Sequence, residues 1–493
     1  MITAHLPPLA VMVPLAAAPV IVLLRRAGIA WALSVAAAWF SFGACLLLAA
    51  QVAGSGPISY EMGNWAPPWG IEYRVDALSA FVLVLVSGVA AVVAPYALRS
   101  VAAEVPGEQR YLYYAVQSLC LAGLLGMTIT GDAFNLFVFM EIASLSMYVL
   151  IALGRDRRAL LASYQYLILG TIGATFYVIA VGLLYLQTGT LNIADLAARL
   201  PGAAEGRPAP AALAFLTVGM SLKLALFPLH LWLPNAYTYA PSTATSFLAA
   251  TATKVSLYVL LRFYFTVFGG TALADPLPMR EILIALSVAA IVSASLVAVW
   301  QTDFKRLLAY SSVAQIGYIT LGMGLATRDG LTAAVAHLFN HGITKGALFM
   351  LVGGVVLRAG NAGFGCLRGL GRSMPVTSLG ITLAGLSLIG VPGTAGFISK
   401  WYLVLASIEA GYWWLAALVV GTSLIAVVYV WRFVEAAYLS PPGEAAPRRG
   451  EAPLPMLVAS WVLVAACLWF GFDTSFTVEG AQRAAALMLG GPR

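Results

Sequence analysis

Apolar residues fall along this chain in long runs that recur from one end to the other, joined mostly by short polar connections. Residues 81–95 and 282–300 contain no charged side chain at all. A helix that crosses a bilayer needs ~20 predominantly apolar residues. On that rule the pattern predicts about fourteen spanning segments: 8–24, 28–52, 76–98, 111–130, 132–153, 160–187, 210–227, 241–268, 279–300, 305–326, 331–357, 376–408, 411–438 and 453–472. The chain therefore reads as one all-α integral membrane domain over residues 1–493. Two segments are interrupted. The seventh carries Lys223 five residues before Pro228, with His230 and Pro234 beyond, and the twelfth carries Lys400 after the run Gly390-Val391-Pro392-Gly393. Proline removes a backbone donor and breaks a helix. Freed backbone groups at membrane depth survive only inside protein or along a wet cavity. Breaks at matching places in two halves point to a transport site. The seventh and twelfth segments are five apart, which predicts two five-helix repeats, roughly 111–268 and 279–438, of inverted topology because five is odd.

Composition agrees with this picture and excludes a soluble one. The chain is 61% hydrophobic and 10% charged, where ordinary soluble domains carry about 25% charged residues. A net charge of +7 would suggest nucleic acid in a soluble protein. Here the arginines lie between apolar segments and read as topology signals, with no nucleic-acid partner. Connections after odd-numbered segments hold Arg25, Arg26, Arg99, Arg110, Arg155, Arg157, Arg158, Lys305, Arg306, Arg358, Arg368, Arg372, Arg432, Arg448 and Arg449. Even connections and the termini hold fewer: Arg74, Arg199, Arg207, Arg262, Arg280, Arg328, Arg483 and Arg493. The excess places the odd connections in the cytoplasm and both termini on the outer, periplasmic side of a prokaryotic cell membrane. The N-terminus lacks a basic leader region, so the first run is read as a retained helix. Cys45, Cys120, Cys366 and Cys467 are scattered and form no disulfide or metal pattern. No cofactor motif occurs.

Lysine is distributed differently from arginine. Of Lys223, Lys254, Lys305, Lys345 and Lys400, only Lys305 falls in a connection, whereas arginines keep to connections or segment ends. A charge at the centre of a spanning helix costs at least ~2.5–3.5 kcal/mol, so four retained cations imply a use. Arginine stays protonated in proteins, but a buried lysine lowers its pKa and can exchange a proton. The alternative is that each lysine snorkels to the interface or sits in a static ion pair. Glu141 is the clear mid-membrane acid, and a neighbouring helix would bring Lys223 beside it; protonating the carboxylate would then release the lysine. Asp132 opens the same segment as an expected N-cap. His337, His341 and Lys345 recur at i, i+4 and i+8, on one helix face. Two histidines four apart can bind a metal, but no carboxylate or cysteine ligand accompanies them; histidine also titrates near neutral pH, as a proton carrier must. His230 is either structural or part of an exit path, and His5 is a terminal residue.

With these residues in place the chain resembles the antiporter-like subunit family shared by Mrp-type cation/proton antiporters and respiratory complex I. Thr130-Gly131-Asp132 through Glu141 is similar to the family's fifth helix, and residues 221–241 to its broken seventh helix. Lys254 matches the eighth-helix lysine, His337, His341 and Lys345 the eleventh-helix cluster, and Lys400 the twelfth-helix position, where some complex I paralogues carry glutamate. Gly63-Asn64-Trp65 followed by Asp76 resembles the Mrp D subunit, and the short end after the last helix also favours that assignment. The resemblance implies a proton relay in which Glu141 and Lys223 are the input pair, Lys254 and the histidines the centre, and Lys400 the terminal exchange site. It implies other membrane subunits as partners, with protons and Na⁺ or K⁺ as cargo. The same module inside a redox-driven pump is the alternative, its redox chemistry lying in partners. A drug-export carrier would need a cavity lined by diverse polar groups, which one acid and four lysines do not supply. A structural scaffold would tolerate loss of the charges.

Overall fold

The computed structural model describes residues 2–203, 208–270, 278–443, 447 and 450–490; Arg207, Arg448, Arg449 and Arg493 of the topology count lie outside them. Two helices, α1 (Leu6–Leu24) and α2 (Ala27–Ser55), lead into a short antiparallel hairpin, β1 (Ile58–Glu61) and β2 (Glu72–Val75), with Ile58 opposite Val75. There follow α3 (Ala77–Glu104), α4 (Arg110–Ile129), α5 (Ala133–Ala152), α6 (Arg158–Thr188) and the short α7 (Ile193–Arg199). The interrupted seventh segment is two pieces, α8 (Pro208–Leu224) and α9 (Trp232–Tyr239). After it, α10 (Ser242–Leu261) runs on into a π-helical turn, Arg262–Val267. The second half comprises α11 (Met279–Val299), α12 (Phe304–Leu325), α13 (Arg328–Ala359), and the single turns α14 (Phe364–Leu367) and α15 (Leu370–Ser373). The interrupted twelfth segment is α16 (Pro375–Ile389) and α17 (Ala395–Glu409), followed by α18 (Trp413–Val434), α19 (Leu454–Phe472) and α20 (Gly480–Met488).

Among the described residues eleven helices are long and apolar enough to cross a membrane, so the chain is a multi-pass, nearly all-helical membrane protein. The broken pieces are too short for that criterion, and α12 is too polar. Its Ser311, Ser312, Gln315, Tyr318 and Thr320 are all buried in the bundle. Burial is graded from centre to edge. Every residue of α10 is buried, whereas α1, α2, α6, α18 and α19 each turn most of their surface outward. That outward surface carries Leu23, Leu47, Leu161, Leu186 and Leu424, all exposed. Such a band would drive a soluble protein to aggregate, and hydrocarbon covers it in a bilayer.

The two ends of the bundle differ. At the hairpin end, irregular backbone is knitted together. Glu72 accepts hydrogen bonds from Ser59 Oγ (2.6 Å) and Asn192 Nδ2 (2.9 Å), and its carbonyl takes the Gly131 amide at 2.8 Å. Asp132 caps α5 as expected, accepting from the Asn135 amide at 2.7 Å. At the opposite end lies a cavity of about 710 Å³ lined by Glu104, Arg155, Asp156, Asp303, Lys305 and Arg306 among others. Helices α3 and α10 run antiparallel between the two ends. Asp76, the N-cap of α3, pairs with Arg262 at the hairpin end, and Glu104 accepts from the Ser242 amide (2.9 Å) at the other.

Two sequence readings change here. Lys305 reads as a loop cation but is buried, its ammonium donating to the Ala240 carbonyl at 2.9 Å. Arg262 reads as a segment-end arginine, yet it is buried in an ion pair with Asp76. Both depend on what another segment brings up to them.

Candidate functional site

The first break holds a lysine against an acid. The α8 helix stops because Ala225 adopts a left-handed conformation (φ 61°), costly for a residue with a Cβ. Trp232 Nε1 satisfies a freed carbonyl, that of Leu222, at 2.9 Å. Lys223 thus sits buried in the last turn of α8, where the helix dipole favours a cation. Its Nζ donates to Ser144 Oγ at 2.6 Å and stands 3.8 Å from Glu141 Oε1. The latter distance exceeds a hydrogen bond, so the pair interacts through space while Ser144, one turn along α5, takes the direct contact. Glu141 is 28% exposed at its side chain, on a helix face that otherwise shows Phe134, Val138 and Leu145.

Among the described residues the centre of the bundle has no comparable acid. Lys254 is wholly buried on α10 and donates to the Ala249 carbonyl (2.5 Å) and Thr253 Oγ1 (3.3 Å). Lys345, equally buried on α13, donates to the Leu308 carbonyl (2.8 Å) and Ser311 Oγ (2.5 Å), both on α12. The helical register places the rings of His337 and His341 parallel, 7° apart in plane with centroids at 6.0 Å. His337 is fixed by Ser399 Oγ on Nδ1 (2.7 Å) and Gln315 Oε1 on Nε2 (2.8 Å). An amide oxygen only accepts, so Nε2 donates to it, and in the neutral ring Nδ1 then accepts from Ser399. Both nitrogens of His341 lack a hydrogen-bond partner among the described residues. Beside them is a cavity of about 10 Å³ lined by His337, His341, Asn340 and Thr344, the size that holds one water molecule.

At the second break the lysine is held by backbone. Lys400 on α17 reaches back to the end of α16, donating to the carbonyls of Ile389 (2.8 Å) and Leu388 (3.2 Å) and to Ser423 Oγ (3.2 Å). Its ammonium also lies 4.8 Å from the centre of the Tyr318 ring, within range of a cation–π contact. Gly390 makes the approach possible. It ends α16 at φ 89°, and a Cβ there would lie 3.0 Å from Lys400 Cδ. Gly396 lets α17 start against α16, since a Cβ would overlap the Ser387 carbonyl oxygen at 1.8 Å.

The structure therefore joins the sequence-selected residues in three groups: Glu141 with Lys223; His337 with His341 on the helix that also carries Lys345; and His337 with Lys400 through adjacent Ser399 and shared Tyr318, whose ring lies 5.8 Å from His337. Lys254 hydrogen-bonds none of the other ionisable members. His230 is buried with its ring 5.3 Å from that of Phe227, outside these groups. Among the described residues no three His, Cys, Asp or Glu side chains cluster as a metal-binding group. The linking hydroxyls and amides (Ser144, Ser311, Gln315, Ser399) escaped the sequence reading, because small polar residues in apolar helices are common and only their facing partners distinguish them. A family model described as NADH:quinone oxidoreductase/Mrp antiporter, TM, matches residues 130–426, a span that holds all seven ionisable residues.

The chain belongs to this family.

Known proteins resemble it over most of its length. The N subunit of an NADH-quinone oxidoreductase from Desulforudis audaxviator is 43% identical, covering 94% of each chain. The D subunit of a Na⁺/H⁺ antiporter from Alkalihalophilus pseudofirmus is 31% identical, covering 77% of this chain and 76% of that one. A chain in the structure of the Mrp complex from Dietzia superposes with a TM-score of 0.91 at 26% identity, over 99% of this chain and 98% of the other. The preference for an Mrp-type antiporter is thus not favoured over the redox-complex alternative. The NADH-quinone oxidoreductase relative shares more identity over more of the chain than the Na⁺/H⁺ antiporter relative does.

Proposed function

We propose that this chain is a proton-translocating membrane subunit of a multisubunit complex in a bacterial or archaeal cell membrane, moving protons along Glu141, Lys223, Lys254, His337, His341, Lys345 and Lys400. The observation that carries the reading is that all four of these lysines are buried and hydrogen-bonded to neutral oxygens, with a single carboxylate, among the described residues, in ion-pair range of one of them. A permanently charged structural lysine would need an acid. A lysine surrounded by carbonyls and hydroxyls is stable as an amine as well as an ammonium, which is what a relay site requires. In the cycle, protonation of Glu141 weakens its hold on Lys223. The freed ammonium of Lys223 then acts by its charge to drive proton exchange inward at Lys254 and the histidines, and Lys400 exchanges a proton at the far side.

In this reading the two broken segments count as one span each, giving fourteen. Helices α4–α10 and α11–α18 form the inverted repeats, and both termini face outward. The neighbouring subunits are other membrane proteins, as the kinship with complex subunits suggests. Two hosts are supported by different observations: a redox-driven pump by the identity with the NADH-quinone oxidoreductase relative, and a Na⁺ or K⁺/proton antiporter by the superposition on the Mrp chain. The test is proton movement in inverted vesicles containing the intact complex, driven by cation gradients or by electron donors, for wild type, Glu141→Ala, Lys223→Ala and Lys400→Ala. Each variant is expected to assemble and to lose proton movement under whichever drive supports the wild type. Unchanged proton movement in all three sinks the relay.

A further inference from the structure

Lys254 shares a helix face with two residues outside the proposed relay. Tyr258 on α10 and Arg262, the first residue of the π-helical turn that continues it, follow at i+4 and i+8, so the three lie along one side toward the hairpin end. There Arg262, Tyr258, Asp76, Arg74 and Thr130 line a cavity of about 300 Å³. A proton that reached Lys254 would have a way out through the Tyr258 hydroxyl to this cavity, were nothing in the way.

Three features block it. The Lys254 ammonium is turned toward Ala249, the other way along the helix. The Tyr258 hydroxyl donates its only proton to the Thr128 carbonyl at 2.8 Å, an amide oxygen that cannot pass it on. It also accepts from Arg262 Nε at 3.1 Å, so both of its roles are occupied. Arg262 is held in turn by Asp76, which is fixed as the N-cap of α3 by the amides of Leu78 and Ser79 (3.1 Å each). Arginine does not give up its proton, and its fixed charge at a constriction repels a migrating one. A π-helical turn begins at Arg262, a distortion that often marks functional positions.

We propose that Asp76 and Arg262 form a gate that shuts the relay toward the hairpin end by locking the Tyr258 hydroxyl in a dead-end hydrogen bond beyond Lys254. The gate rests on the reading of Lys254 as a relay member. Asp76 and Arg262 are positioning residues, acting through Tyr258. Their function is insulation, so that charge delivered to Lys254 continues to the histidines and does not leak.

The test uses the whole complex in sealed vesicles with an imposed pH gradient and a pH-sensitive dye, without drive. Arg262→Gln removes both lock and charge and is expected to speed gradient decay roughly tenfold, a barrier change of about 1.4 kcal/mol. Arg262→Lys keeps a cation for Asp76 but has no second nitrogen for Tyr258, and should leak less while assembling normally. Tyr258→Phe added to either variant, or Lys254→Ala added, should restore tightness, a suppression that loosened packing would not show. An assembled Arg262→Lys or Arg262→Gln complex as tight as wild type overturns the gate, as does a leak indifferent to Tyr258→Phe. The relay itself is judged separately: if Lys254→Ala leaves driven proton movement intact, that reading fails whatever the Arg262 variants do.

Discussion

At the first break the lysine stands on the helix piece that ends; at the second it stands on the piece that begins. Lys223 occupies the last turn of α8, while Lys400 belongs to α17 and reaches back to the terminal carbonyls of α16. Either way an ammonium meets the negative end of a half-helix, so the same backbone electrostatics serve both sites. The difference lies in the other partners. Lys223 has Glu141 at 3.8 Å, a group that changes charge when it takes a proton. Lys400 has carbonyls, Ser423 and the face of Tyr318, which supply a constant field. On the proposed relay the two sites therefore have different jobs. The first is switched from outside by its acid, and the second changes charge only by losing its own proton.

The strongest way to break that assignment is Glu141→Gln, which keeps shape and removes the switch. Driven proton movement is expected to fall on the order of a hundredfold, the usual weight of a positioned acid–base group, with complex assembly unchanged on native gels. Next come the paired charge-keeping substitutions. Lys400→Arg should cost roughly tenfold or more, since arginine cannot release a proton, whereas Lys223→Arg should stay within about threefold because its charge still answers to Glu141. Equal losses at the two positions would erase the distinction. A smaller effect is expected at Gly390→Ala, where a left-handed φ and the 3.0 Å approach to Lys400 act together. It should destabilise the chain by about 1 kcal/mol, read as a lower detergent melting temperature, and slow driven proton movement severalfold. The smallest belongs to Asp156→Asn in the exposed α5–α6 turn. Hydrogen bonds from Arg158 hold the Asp156 carboxyl below the usual range, so its contribution is present above ordinary carboxylate pH values and lost on acidification. An exposed pair of this kind is worth ~0–1 kcal/mol, and transport at neutral pH should be unaltered.

Much of this was legible in the residues. Expulsion of arginine and retention of lysine follow from the cost of charge in hydrocarbon, and Lys223, Lys254, Lys345 and Lys400 are all buried. Register alone placed His337 and His341 ring over ring. The breaks were visible as Pro228 and the Gly390–Gly393 run, but α8 ends earlier, at Ala225, where nothing in an alanine announces a positive φ. Lys305 and Arg262 read as connection and segment-end cations because their burial comes from residues distant in the chain, Ala240 and Asp76. Partners such as Ser311 for Lys345 depend on how α12 faces α13, a packing result that one-dimensional spacing does not contain.

The knot of polar backbone at the hairpin end bears on how the chain is made. Glu72 waits for Asn192, a partner 120 residues later, and α3 to α6 must be threaded into the membrane in between. Until then its buried carboxylate lacks the side-chain amide that completes its contacts. The hairpin-end contacts of the first half are complete only once the short polar stretch after α6 is in place and Asn192 reaches Glu72.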